Sequence, residues 1–169
     1  MEQTISEGYI PPKKGVLPGL AAVCAAICLG FVAVLIASLR APQAVSAADY
    51  PDPVPAALRW QLSASGVSGG MVTVEGWALV EGERFESVDI RPVLWDAAGQ
   101  AGWALPTYLR EDEAARAAAG KVVFGEYGGF TGRCAVRALP AGSYEVCIAY
   151  CCNGIRTLVH TGQTLEVGQ

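Results

Sequence analysis

Histidine is nearly absent: His160 is the only one in 169 residues. A histidine cluster or ligand pair for a metal is therefore not expected, and no hydroxyl has a choice of imidazole partners. Basic charge is also scarce, with 12 Lys+Arg against 16 Asp+Glu and a net charge of −4. From Ala48 onward nine basic residues face fourteen acidic ones. Phosphate binding needs a basic surface, so nucleic acid is excluded as an expected partner. The chain has no G-x-S-x-G element, no Gly-rich phosphate loop, no C-x-x-C pair and no internal repeat. Gly69-Gly70 and Gly128-Gly129 read as turns. The sequence thus marks no nucleophile, and no catalytic residue, cofactor or metal is expected.

Charge is missing altogether from one stretch. Between Val16 and Leu39 there is no Asp, Glu, Lys or Arg, in a chain that is 52% hydrophobic with mean hydropathy +0.33. A helix over this stretch would span about 36 Å at about 1.5 Å per residue, against a hydrocarbon core of about 30 Å. The run is longer than the apolar region of a cleaved signal peptide, about 7–15 residues. A small-residue cleavage site exists at Val45-Ser46-Ala47, beyond Arg40, and cleavage after Ala47 is the competing outcome. No small residue directly precedes Cys24 or Cys28, so a lipoprotein site is set aside. The sequence predicts an uncleaved, single-pass anchor. Lys13 and Lys14 before it outnumber Arg40 after it, which favours a cytoplasmic N-terminus. Ala22, Ala26 and Gly30 recur every fourth residue and offer a small-residue face for helix packing or self-association.

Residues 1–15 read as a cytoplasmic tail, 16–39 as the transmembrane helix, and 40–56 as a Pro/Ala-rich linker that holds the domain off the bilayer. Residues 57–169 read as one extracytoplasmic domain. There the apolar period drops to two. Leu58, Trp60 and Leu62 alternate with polar residues, as do Val72 and Val74, and Val88 and Ile90. Further strands are predicted over Gln100–Leu105, Phe130–Leu139, Tyr144–Cys152, Ile155–His160 and Thr164–Val167. Pro140-Ala141-Gly142 is expected to turn one hairpin, and Asn153-Gly154 another. Glu111 to Gly120 is the exception, a short helical insert whose acids suit the first turn of a helix. The fold class expected is mainly β: an antiparallel, Ig-like β-sandwich with one helical insert, behind a single transmembrane helix. Trp60, Val72, Val74, Trp77, Val88, Ile90, Leu94, Phe130, Val136, Tyr144, Val146 and Ile148 should supply most of the core.

Four cysteines, Cys134, Cys147, Cys151 and Cys152, lie in this domain, as an oxidising compartment would allow. Counting outwards from a Pro140-Ala141 turn sets Cys134 opposite Cys147, so that bridge is the first expectation. Closing a loop of this size would stabilise by about 3 kcal/mol. Cys151 or Cys152 is the alternative partner, a vicinal Cys151-Cys152 ring is another, and three connectivities stay open. A redox role for Cys151 and Cys152 is the enzymatic alternative. A four-thiolate zinc site fits poorly, because adjacent cysteines chelate one ion badly. Trp103, with Tyr108 and Arg110 near it in sequence, is the best candidate ligand-binding surface.

Val74-Glu75-Gly76-Trp77-Ala78, Arg110-Glu111-Asp112, Gly129-Phe130 and Leu139-Pro140-Ala141-Gly142-Ser143-Tyr144 follow one another in order. Together they resemble extracytoplasmic Ig-like β-sandwich modules of Gram-positive cell-envelope membrane proteins, which are often found beside membrane-embedded glycan or polymer enzymes. The cysteines depart from that pattern. The resemblance implies a fold and an address, not an activity. The sequence therefore leads to one expectation: a non-catalytic, membrane-anchored binding or interaction module of the cell envelope, accessory to glycan or polymer assembly. Its expected partners are the membrane, an envelope glycan or another membrane protein. A structural subunit of a membrane complex is the third possibility.

Overall fold

The computed structural model describes residues 16–96, 98, 101–119 and 125–168. The expected tail at 1–15, with Lys13 and Lys14, lies outside them, as does the expected helix stop at Gly120. The chain divides into two units, the second being Arg40–Gln169.

The first unit holds helix α1, Val16–Arg40, 25 residues long. Unbroken Leu, Ala, Val and Ile favour it, and Pro18 falls in the first turn, where its missing N–H costs nothing. Arg40 sits in the last turn, where a cation complements the helix dipole. Within Pro18–Arg40 the most apolar 18-residue stretch has a mean hydropathy of 2.8, and none of that stretch is buried within the chain. By length and composition α1 fits a membrane span, and a signal sequence would show the same two properties.

The second unit is built of two antiparallel sheets. Its strands are β1 Gln43–Ser46, β2 Leu58–Ser68, β3 Met71–Val80, β4 Ile90–Asp96, β5 Ala101–Ala104, β6 Thr107–Arg110, β7 Gly129–Ala135, β8 Gly142–Tyr150 and β9 Thr157–Val167. One sheet runs β1-β5-β4-β8-β9, the other β2-β3-β7-β6. The period-two pattern does its expected work. Val72, Val74, Ala78 and Val80 of β3 enter the main core with Phe130 and Cys134 of β7. Ile90 and Leu94 of β4 join it, with Tyr144, Val146, Ile148 and Tyr150 of β8. Both sheets thus contribute to one shared core. Trp60, Val88 and Val136 pack at its margin, half-buried.

The alternate residues form two smaller clusters on the outer faces. On the four-stranded sheet, Trp77 and Leu79 lie under helix α2, Glu113–Ala119, through Ala115 and Ala119. Asp112 caps that helix: its Oδ1 accepts from the amides of Ala114 (2.9 Å) and Ala115 (3.1 Å). On the five-stranded sheet, Val93, Trp95, Ala104, Cys147 and Ala149 form the second cluster, with Val45, Tyr50 and Leu158 against it.

The structure differs from the sequence reading in three places. Pro140-Ala141-Gly142 does not turn a hairpin, because β7 and β8 belong to different sheets. A 3-10 turn at Val136–Ala138 ends β7, and the segment after it crosses between sheets. Tyr144 pins this corner: its hydroxyl donates to the Pro140 carbonyl at 2.9 Å. Second, part of the expected linker is folded. Gln43–Ser46 pairs with Ala101–Ala104, Tyr50 is half-buried, and Asp52 exchanges two hydrogen bonds with the Arg156 backbone. Third, the two short strands expected at the C-terminus are one long strand, β9, whose ladder is offset by a bulge between Val146/Cys147 and its partners. The Asn153-Gly154 turn is present, closed by a bond from the Ile155 amide to the Cys152 carbonyl (2.9 Å).

Candidate functional site

The residues best equipped for chemistry meet on the outer face of the five-stranded sheet, where strands β8 and β9 run together. Glu145 and Cys147 are two apart on β8, so they share a face. His160 of β9 is the register partner of Cys147. Thr161 and Gly162 then bulge out of the ladder, with Gly162 at φ +73°, a conformation that glycine takes without strain. The bulge delivers the Gly162 amide to Glu145 Oε1 at 3.0 Å. Glu145 Oε2 lies 2.8 Å from His160 Nδ1, and Cys147 Sγ lies 3.4 Å from the same nitrogen. Trp95 meets the imidazole edge-on, with ring centroids 6.1 Å apart.

These contacts assign the protons. A carboxylate only accepts, so Nδ1 carries the hydrogen and donates to Glu145. Burial pushes the Glu145 carboxyl up, but the hydrogen bonds from His160 and Gly162 together outweigh it and hold the group below its ordinary range. Burial raises the Cys147 thiol to about 12, and the Glu145 charge adds to the shift. A nucleophilic cysteine needs a base nitrogen facing the thiol and a carboxylate on the other ring nitrogen. Here thiol and carboxylate share Nδ1, and Cys147 is fully buried. The trio is therefore not arranged as a nucleophile with its base. What it offers is three converging donor atoms, with S, N and O all within 4.8 Å of one another. The sequence reading found no ligand partner for His160, and the structure supplies two.

The other expected site residues are not brought together. Trp103 lies on β5 and packs inward at the edge of the main core. Its remaining surface opens into a depression of about 440 Å³ shared with Asp96, Ser143 and Tyr144. Tyr108 and Arg110 are on β6, in the other sheet. Tyr108 is exposed, while Arg110 is half-buried and paired with Asp112 at 3.3 Å. Proximity in sequence does not carry across the step from one sheet to the other.

No disulfide is seen. All six cysteines are free thiols. Cys134 faces the main core from the four-stranded sheet, whereas Cys147 faces outward from the other. The assumed β7–β8 hairpin was the premise of their pairing. Cys151 opens on an outer-face depression with Arg91 and Arg156, while its neighbour Cys152 points into the core. Opposite faces rule out a vicinal ring in this conformation. Cys147 and Cys151, four residues apart along extended chain, are separated by about 13 Å, too far for a bridge. Burial raises the thiols of Cys134 and Cys152 to about 11 and also raises that of Cys151. Ala22, Ala26 and Gly30 share one side of α1, and a β-carbon at Gly30 would meet no atom within 4 Å.

Comparisons with protein-family models, with curated proteins and with solved structures return no match to this chain.

Proposed function

We propose that this protein is a membrane-anchored interaction module of the cell envelope, with its β domain outside the cytoplasm and no catalytic role. The observation that carries the reading is α1. An 18-residue stretch of mean hydropathy 2.8, with no part buried, needs an apolar environment that the rest of the chain does not provide. Orientation rests on the flanking charges alone: Lys13 and Lys14 precede the helix, and only Arg40 directly follows it.

An immunoglobulin-like assignment of the domain has two supports. The order β2-β3-β7-β6 opposite β9-β8-β4-β5 matches the A-B-E-D and G-F-C-C′ order of that fold, with β1 added at the edge. The Tyr144 hydroxyl, bonded to a carbonyl four residues upstream at the start of β8, matches its tyrosine corner. The departure is at β4, where Trp95 faces outward and Leu94 faces the core. Such a domain is a frame for recognition, and its ligand is a property of the surface. Trp103 offers that surface: an aromatic edge beside a carboxylate and two hydroxyls suits a sugar, which needs stacking and hydrogen bonds together. The Ala22, Ala26 and Gly30 face of α1 suits a second membrane helix.

Three measurements test the reading. Alkaline carbonate should leave the chain in the membrane pellet, and protease added to intact spheroplasts should digest the domain. Release by carbonate, or protection from protease, would remove the reading. Envelope polysaccharide should then bind the full chain in detergent micelles, and Trp103→Ala should weaken that binding about tenfold. Equal binding by the variant would move the glycan away from this depression.

A further inference from the structure

The role proposed above makes no use of the Glu145, Cys147 and His160 cluster. We propose that these three residues form a binding site for a divalent d-block cation of the zinc class. Cys147 Sγ, His160 Nδ1 and one Glu145 carboxylate oxygen are the ligands, and a fourth position is open to solvent.

The donor set selects the metal. One thiolate, one imidazole and one carboxylate suit zinc and its neighbours, whereas magnesium and calcium take oxygen ligands only. Two of the three donor spacings are close to what such an ion requires, and the third, sulfur to carboxylate oxygen, lies within 4.8 Å. Tetrahedral zinc, with bonds of about 2.3 Å to sulfur and about 2.0 Å to nitrogen, separates those two donors by about 3.5 Å. Sγ and Nδ1 are 3.4 Å apart. Nitrogen and oxygen donors on the same ion are about 3.3 Å apart. Nδ1 and Oε2, at 2.8 Å, must therefore open by about half an ångström, replacing their hydrogen bond with two metal bonds. His160 is half exposed, so it has room to make that move.

The backbone fixes the ligands in advance. Two come from alternate positions of β8, and the third is the direct cross-strand partner of Cys147, so their origins are set by the sheet ladder rather than by a loop. The Gly162 amide holds the second carboxylate oxygen, the kind of outer-shell support that orients a ligating group. Charge balances on binding. The thiol proton leaves to water, the imidazole stays neutral with its hydrogen on Nε2, and thiolate plus carboxylate cancel the two positive charges of the ion. Three protein ligands and an open position are the pattern of a site that accepts a further ligand, not of a closed structural zinc.

The experiment uses the full chain in detergent micelles, freed of metal by chelator and titrated with cobalt(II). One equivalent should produce a thiolate-to-cobalt charge-transfer band and the visible absorption of a four-coordinate ion. Zinc should abolish both, again at one equivalent. Cys147→Ser should lose the charge-transfer band, and His160→Gln should weaken binding at least about tenfold. Cys151→Ser should titrate like the parent. His160 is at the surface, so its variant tests the site even if replacing the buried Cys147 disturbs folding. Absence of the band in the parent protein, its persistence in Cys147→Ser, or unchanged affinity in His160→Gln would each overturn the proposal.

Discussion

Replacing Asn153 should release a loop more than sixty residues upstream in sequence. Asn153 sits at φ +53°, in the turn between β8 and β9. Its Oδ1 accepts from the amides of Glu86 (2.8 Å) and Ser87 (3.3 Å), and its Nδ2 donates to the Arg84 carbonyl (2.9 Å). Its own amide donates to Ser87 Oγ at 3.0 Å. One side chain thus supplies the contacts that a missing strand would otherwise give to the β3–β4 connection. Asn153→Gly keeps the backbone conformation and deletes only the side chain. Each of the two short bonds is worth about 0.5–1.5 kcal/mol, and the added freedom of the unfolded chain costs about 0.5 kcal/mol more. The expected loss is about 2 kcal/mol. Asn153→Ala loses the same bonds and, relative to the glycine variant, keeps a β-carbon in the left-handed region at about 1 kcal/mol. The assay is urea unfolding of the full chain in micelles, read by near-ultraviolet circular dichroism. All four tryptophans lie in the β domain, so the tryptophan bands report on that domain and not on α1. The Glu86 amide should also exchange faster in both variants. A glycine variant within about 0.5 kcal/mol of the parent, or an alanine variant more stable than the glycine one, would refute the account.

Three further outcomes follow from the geometry. A β-carbon at Gly132 would overlap Pro92 Cγ where the two sheets touch, so Gly132→Ala should cost about 1–3 kcal/mol by denaturant unfolding. Glu145 has a folded pKa below its ordinary 4.5, so its contribution is present above that pH and lost as pH falls through the lower folded value; Glu145→Gln should flatten the acid limb of the stability curve. Alkylation of the protein unfolded in detergent without reductant should count six thiols, and in the folded protein at pH 8 Cys151 should react before Cys134, Cys147 and Cys152; a count of four would restore a disulfide.

Strand content was legible where side chains alternate over a buried face. The alternation at Val72 and Val74 marks β3, and eight of the twelve residues expected in the core lie in the main cluster. Trp77 is also buried, but on the opposite face of the sheet under α2, since its odd position in β3 places it away from Val72 and Val74. Sheet membership was not legible. A Pro-Ala-Gly turn reads the same whether it reverses a hairpin or carries the chain from one sheet to another, and that one ambiguity produced the Cys134–Cys147 pairing. The Glu145, Cys147 and His160 cluster was within reach of the sequence. Counting outwards from Asn153-Gly154 puts Cys147 opposite His160, which is the observed register. The bulge that brings the Gly162 amide to Glu145 had no comparable signal. Nor did β1, whose Pro- and Ala-rich surroundings resemble a spacer while its backbone completes a sheet edge.

That edge strand turns a question about processing into one about timing. The one small-residue cleavage site, Val45-Ser46-Ala47, lies in β1 and the 3-10 turn that follows it. A peptidase acts on accessible, extended chain. Once Gln43–Ser46 has paired with β5, the scissile bond is held in folded backbone. Cutting it before folding would deprive the five-stranded sheet of its edge and uncover part of the outer-face cluster that Val45 now packs against. Whether the domain stays tethered is then decided by a race between two rates on the newly emerged chain, the peptidase's and that of β1 finding β5.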